Sequence, residues 1–443
     1  MKYRKPNMSY SQTPGAELPM PGRLGSFGEV RLGYTLEQAR AEADRCLNCP
    51  DRYCSQHCPA HSYIPEFIAE IRNGDLDKAW ELLVRTNPMT DIAGRVCPYE
   101  NQCESHCTRA IKCEPVAIGR LERFVADWHS EHRGAEETAP EPIGKTAAVV
   151  GSGPAGLSCA VTLARGGVKV TVYEKEDQLG GVPVWGIPSF VLPPIHMERQ
   201  IKTLRRMGVE FVTGTELGRD ISLDELREKY DAVFLATGAG RPVELEIPGR
   251  ELSGVVQAAD YLRDPGAYPG KRVVVIGGGN TAIDAARTAL RSGAESVRIL
   301  YRRLAADMPA TSEELALARE EGAVLEELAS PASFLGRDGR LTGVECDRMT
   351  LTRPDYPGGR NNSAPSGERF LEEADLAILA LGFGTTPPEG VETDGSGRIL
   401  TDREGATGLK GVYAGGDSVN GAATLMKAVA GGVTAAGAIL RAL

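Results

Sequence analysis

Two stretches of this chain have one form: TAAVVGSGPAGLSCAVTLARGGVKVTVYEK from Thr146, and KRVVVIGGGNTAIDAARTALRSGAESVRILYRR from Lys271. Each reads as an apolar strand, a glycine turn, a helix and a second apolar strand, the pattern of a parallel β–α–β unit. Two such units commit most of the chain to α/β architecture. DAVFLATGA, from Asp231, is a short apolar run ending in Thr-Gly, and ADLAILALGFG, from Ala374, repeats that form. The last block is GVYAGGDSVNGAATLMKAVAGGVTAAGAIL. This order suggests one nucleotide-binding domain, 145–260 and 375–443, carrying a second, 261–374, as an insertion.

In the first unit Gly151, Gly153 and Gly156 have GxGxxG spacing, with Pro154 and Ala155 opening the helix. Glycines there let the turn close and let backbone N–H groups approach a pyrophosphate at the helix N-terminus. Glu174 ends the next strand, where a carboxylate accepts hydrogen bonds from a ribose diol and repels a 2′-phosphate, which suits FAD or NAD. The second unit has Gly277 and Gly279, then Asn280, Thr281 and Ala282. Its second strand ends in Tyr301, Arg302 and Arg303 rather than an acid, and guanidinium groups there grip a 2′-phosphate, which suits NADPH. The alternative for the two arginines is solvated surface. Gly416 and Asp417 in the closing block offer a carboxylate to a ribityl hydroxyl, and the helix after Thr424 points a positive dipole end toward a reduced flavin. Asp417 could instead be a helix cap. Gly181 and Gly238 complete the expected dinucleotide-binding set. Both folds are Rossmann-like, and two dinucleotides on one chain imply hydride transfer between their rings. Cys159 stands alone on the first unit's helix and reads as a small core residue, so disulfide reduction is not indicated.

Eight of the ten cysteines lie between Cys46 and Cys113. Cys46, Cys49, Cys54 and Cys58 form one group, and Cys97, Cys103, Cys107 and Cys113 another. Such confinement disfavours a disulfide framework. Structural zinc would use the same thiolates, but a flavin beside them favours iron–sulfur clusters, which accept electrons singly. Helices are expected from a capping box at Thr35 and Gln38 through Cys46, in IPEFIAEIRNG, in DLDKAWELLVRTN and in VAIGRLERFVADW, giving an α-helical iron–sulfur module over 1–135. Residues 1–34, rich in Pro and Gly, are expected to drape over another surface, and EHRGAEETAPEPIGK to be a linker. A net charge of −10 argues against nucleic acid as a partner. The first residues lack the apolar run of a signal peptide. AATLMKAVAGGVTAAGAIL, broken by Lys427, reads as a buried helix rather than a membrane span. A cytoplasmic location is expected.

RCLNC…CPAHSYIPEFI, LLVRTNPM, GRVCPYENQCESHC, GSGPAGLSCA, GIPSFVLP, GGGNTAIDAARTA, YRR followed by MPA, and AGGDSVNGAATLMKAV together resemble the small, NADPH-oxidising subunit of bacterial glutamate synthase. The large subunit of NADH-dependent ferredoxin:NADP oxidoreductase and the N-terminal half of dihydropyrimidine dehydrogenase share the architecture. The resemblance covers nearly the whole chain and implies FAD, NADPH, two 4Fe–4S clusters and a partner subunit that accepts the electrons. It also implies interleaved ligands: Cys46, Cys49, Cys54 and Cys107 on one cluster, and Cys58, Cys97, Cys103 and the carboxylate of Glu122 on the other. Spacing alone would nominate Cys113 in place of Glu122. The chain departs from the common pattern at VPVWGIP, where Trp185 stands before Gly186. The resemblance leaves two acceptors open, a glutamate synthase large subunit or the small subunit of a bifurcating ferredoxin:NADP oxidoreductase. A more distant alternative is a zinc-stapled docking module fused to a flavin reductase.

Overall fold

The computed structural model describes residues 7–133, 138, 140–355 and 359–443. The middle of the expected linker, and with it the expected boundary at residue 135, lies outside the described residues.

The N-terminal module is helical. Thr35 Oγ1 accepts the Gln38 N–H at 3.2 Å and Gln38 Oε1 accepts the Thr35 N–H at 2.8 Å, the reciprocal capping box that starts helix Leu36–Ala43. This helix stops before Cys46 instead of running through it. Arg45 is fully buried, and its guanidinium holds Glu42 and the carbonyls of Glu114 and Pro115, which turns the chain away from the helix axis. Ile64–Asn73 ends at Gly74 in the left-handed conformation, and Leu76–Val84 begins where Asp75 accepts the Lys78 N–H. Phe67, Ile68, Ile71, Leu83, Ile92, Leu121 and Val125 are buried together where helix Ile118–His132 crosses the others.

Two five-stranded parallel sheets follow. The first runs Val412–Ala414, Ala232–Leu235, Thr146–Val150, Lys169–Tyr173, Glu210–Val212. The second runs Val324–Glu327, Ser296–Tyr301, Arg272–Ile276, Leu376–Leu379, Val255–Gln257. Central strands are apolar throughout because helices or a second sheet cover both faces. An antiparallel sheet of Ala329–Arg337, Arg340–Thr352 and Asn362–Glu373 places Phe334, Val344 and Cys346 against the second parallel sheet. The chain passes between the units through a two-stranded ribbon, Arg241–Pro242 paired with Phe383–Gly384.

The crossing differs from the sequence-based boundaries at 260 and 375. Val255–Gln257 and Leu376–Leu379 pair with each other and, through Leu376–Leu379, with Arg272–Ile276, so both belong to the second unit. Helix Leu425–Ala442 is long and apolar enough by composition to cross a membrane. In the fold it lies on helix Pro154–Arg165, so close that a Cβ on Gly432 would fall 2.1 Å from the Ala155 carbonyl oxygen. Residues 7–34 drape as expected: the Val30 N–H donates to the Phe190 carbonyl, Arg23 pairs with Glu320 at 3.0 Å, and Arg31 with Glu314 at 2.7 Å.

Candidate functional site

One cleft of about 1170 Å³ opens where the three modules meet. From the first unit it is walled by Gly151, Gly153, Pro154, Ala155, Glu174, Gly181 and Gly238, with Asp417 and Thr424 from the closing block. Gly151 has φ +102°, and a Cβ there would lie 2.2 Å from the Ala236 oxygen, so the turn closes only with glycine. Gly153 would meet nothing within 4 Å, which leaves its backbone open to a ligand. Gly156 and Gly416 sit behind this wall as packing positions. Glu174 accepts the Ser152 N–H at 2.8 Å and its hydroxyl at 2.6 Å, holding the carboxylate beside the turn.

Asp417 is not the helix cap that sequence left open; Gly416 occupies that position before the short helix Asp417–Asn420. Burial raises the Asp417 carboxyl to about 6, against the pull of the Ala423 N–H. Thr424 does cap a helix, accepting the Lys427 N–H at the start of Leu425–Ala442. Thr237 Oγ1, in the same wall, is buried without a hydrogen-bond partner. An open glycine turn, two carboxylates and an orphaned hydroxyl in one apolar-backed cleft fit a dinucleotide such as FAD.

The second unit contributes Asn280 and Thr281 to the cleft, at the N-terminus of helix Asn280–Arg291. Gly277, Gly279 and Ala282 stand behind them. Arg302 and Arg303 lie at the strand end outside the cleft wall; among the described residues neither makes an ion pair, and Arg303 Nε is buried without a partner. That is how guanidinium groups awaiting an anion would stand. Trp185 lines the cleft, edge-on to Phe383 at 6.2 Å and beneath the Arg263 guanidinium at 5.6 Å.

All eight clustered cysteines are free thiols, and seven of them gather into two sets. Burial and then the neighbouring sulfurs of Cys46, Cys107 and Cys49 push the Cys54 thiol up to about 12. Burial raises Cys46 likewise, with Cys107 and Cys49 as its sulfur neighbours. In the other set Cys97 and Cys103 are raised by burial and then by charges that include Cys58 and Glu122. Cys113 is not among the leading charges that act on Cys46, Cys54, Cys97 or Cys103. Glu122 is buried, accepting from Asn87 at 2.8 Å, Thr90 at 2.6 Å and Tyr99 at 3.2 Å. Two convergent sets of soft thiols suit iron–sulfur clusters. Cys97 also borders the cleft, so the second set reaches the dinucleotide region. Cys159 is buried with no thiol beside it.

Sequence reasoning passed over three groups. Glu104 faces Cys97 and Cys103 and lines the cleft. Asp284 and Arg287 continue the cleft-facing stripe of the second glycine-turn helix, four and seven residues beyond Asn280. Helical spacing from Asn280 would have found both.

The chain matches two family models, "Dihydroprymidine dehydrogenase domain II, 4Fe-4S cluster" over residues 23–134 and "Pyridine nucleotide-disulphide oxidoreductase" over 145–432. It is 38% identical to a glutamate synthase [NADPH] small chain of Halomonas elongata, covering 95% of this chain and 94% of that one. It is also 38% identical to an NADPH-Fe(3+) oxidoreductase subunit beta of Geobacter sulfurreducens, over 96% of this chain and 68% of that one. The fold resembles FprA of Mycobacterium tuberculosis in its complex with NADPH, with TM-score 0.59 and 22% identity, covering 68% of this chain and 84% of that one.

Proposed function

Because the chain belongs to the superfamily of glutamate synthase small subunits, NADPH-dependent oxidoreductases that carry FAD and 4Fe–4S clusters, we propose that it delivers NADPH electrons to a separate partner subunit, as the small subunit of a glutamate synthase-type enzyme. The observation that supports this most is the single cleft. It joins the glycine turn of Gly151 and Gly153, the helix start at Asn280 and Thr281, and Cys97 of the second cysteine set.

FAD supplies hydride acceptance and single-electron release when bound. The turn from Gly151 to Gly156 would hold its pyrophosphate, Glu174 a ribose diol and Asp417 a ribityl hydroxyl. Arg302 and Arg303 would hold the 2′-phosphate of NADPH, and the N-terminus of Asn280–Arg291 its pyrophosphate. Cys46, Cys49, Cys54 and Cys107 would hold one cluster, and Cys58, Cys97, Cys103 and Glu122 the other. Placing the two rings against each other is the main task of the protein in such a transfer, since no side chain needs to make or break a bond.

Electrons leaving through the helical module reach a partner whose own chemistry decides the product. With a glutamate synthase large subunit that product would be glutamate, from glutamine and 2-oxoglutarate. The test combines the purified holoprotein with such a large subunit under anaerobic conditions. NADPH-dependent glutamate formation that needs both chains is the expected result. NADPH oxidation without glutamate, but with ferredoxin and NAD as acceptors, would overturn the glutamate synthase reading in favour of the bifurcating one.

A further inference from the structure

The two oxygens of Glu122, the carboxylate assigned above to the second cysteine set, are held unequally. Oε1 accepts the Thr90 hydroxyl at 2.6 Å and the Asn87 amide at 2.8 Å. Asn87 and Thr90 are both buried. The amide has a fixed orientation, because Asn87 Oδ1 accepts the Met89 N–H at 3.1 Å and so turns Nδ2 toward Glu122. The hydroxyl is fixed as well. Thr90 opens helix Thr90–Val96, and the first nucleotide unit grips that helix at the next residue, where His196 Nδ1 lies 2.9 Å from the Asp91 carboxylate.

Oε2 differs. Among the described residues its one hydrogen-bonding neighbour is the Tyr99 hydroxyl at 3.2 Å. That hydroxyl has a single proton, and the Ala93 carbonyl competes for it at 2.7 Å. The shorter bond takes the larger share, so Oε2 is the weakly held oxygen of a carboxylate that faces Cys97 and Cys103. One oxygen saturated with donors and the other left open is how a protein prepares a carboxylate to bind metal through one atom. The donors on Oε1 also draw charge off the carboxylate. A ligand that gives less charge to iron favours the reduced, more negative form of a cluster.

We propose that Asn87 and Thr90 are positioning residues: they pin Oε1 of Glu122, leave Oε2 to complete the second cluster, and raise that cluster's reduction potential. The inference rests on the reading of Glu122 as the fourth ligand. It assigns a task to the segment between the two cysteine groups, which carries no ligand of its own.

The experiment compares anaerobic holoprotein with Thr90→Val, which keeps the shape but removes the hydroxyl, Thr90→Ser, which restores it, and Glu122→Ala. Iron analysis and redox titration followed by electron paramagnetic resonance are the readouts. Thr90→Val should lower the midpoint potential of one cluster, leave the other where it was, and keep about eight irons per chain. Thr90→Ser should return the potential to that of the unaltered protein. If Thr90→Val instead sheds one cluster, about four irons, recovery by Thr90→Ser upholds the assignment and continued loss overturns it. Unchanged potentials in Thr90→Val, or equal shifts of both clusters, would overturn this inference alone, provided Glu122→Ala disturbs one cluster. A Glu122→Ala protein with its irons and both potentials unaltered would mark failure of the ligand reading itself, and the inference would fall with it.

Discussion

At Asp417 burial and function oppose each other. Its carboxyl is raised from 3.8 to about 6 by burial, so in the flavin-free protein its ionisation costs stability. The cost is absent below about pH 4, appears as pH rises toward 6, and amounts to about 2–3 kcal/mol at neutral pH. Asp417→Asn should therefore raise the unfolding temperature of the flavin-free protein at pH 7, leave it unchanged near pH 4, and weaken flavin retention. Calorimetry at the two pH values, with flavin release followed by fluorescence, checks all three. The arginine pair gives a second test: replacing Arg302 and Arg303 by Ala should cost about 2–4 kcal/mol of NADPH binding with far less effect on NADH. Equal losses would remove the 2′-phosphate argument. Spacing nominates Cys113 and only the resemblance points to Glu122, because a carboxylate nine residues past the last cysteine has no sequence signature. In the fold Glu122 is carried by helix Ile118–His132 to face Cys97 and Cys103, and Cys113 is not among the leading charges on either thiol. Cys113→Ser should keep about eight irons per chain, two four-iron clusters. Glu122→Ala should disturb one cluster's spectrum or lose it, and iron analysis distinguishes the reverse result.

Among elements, legibility followed how local the determinant was. The capping box at Thr35 and Gln38 and the cap at Asp75 are written within four residues, and these helix starts fall where the sequence puts them. The end of the first helix was not readable. It depends on Arg45 finding Glu114 and Pro115, about seventy residues away. The strands Ala232–Leu235 and Leu376–Leu379 are alike as apolar runs, yet sit in different sheets, because only pairing distinguishes them. Least legible was the ion-pair layer under the second unit. Glu321 is buried between Arg287 and Arg291, which themselves lie over the Phe190 ring at 4.8 and 4.0 Å. Burial alone would raise its carboxyl, but hydrogen bonds from Arg291 and Arg287 outweigh this and bring it from 4.5 to about 2. That stability is fully present above about pH 4.5 and is lost as pH falls toward 2. Glu321→Ala should cost about 3–5 kcal/mol at neutral pH by stranding the buried Arg291 guanidinium and leaving Arg287 with Glu314 alone. The penalty should shrink below pH 4, as acid unfolding followed by circular dichroism would show.

For the molecule as a whole, the question is what holds the two nucleotide units at the distance hydride transfer needs. Their covalent link is only the ribbon of Arg241–Pro242 and Phe383–Gly384. The helical module and the residues draped before it span both units. Val30 holds the backbone of Phe190, Arg23 reaches Glu320, Arg31 reaches Glu313 and Glu314, Arg120 reaches Glu313, and Glu100 accepts from Ser312. Exposed pairs of this kind are individually weak, but Arg23 is buried, and five contacts on one unit act together as a brace. Composition suggested that residues 1–34 lie on another surface, without saying that the surface is the inserted unit. If the brace fixes the units' orientation, replacing Arg23 and Arg31 together by Ala should leave NADP⁺ affinity within about twofold, since no direct phosphate contact is assigned to either side chain. It should slow flavin bleaching by NADPH about 10- to 100-fold, the cost of misplacing reacting rings by an ångström. Thermal unfolding should split into two transitions as the inserted unit loses its support. Stopped-flow absorbance and scanning calorimetry on the same holoprotein decide the matter: one transition with an unchanged bleaching rate would show that the ribbon and the cleft contacts suffice without the brace.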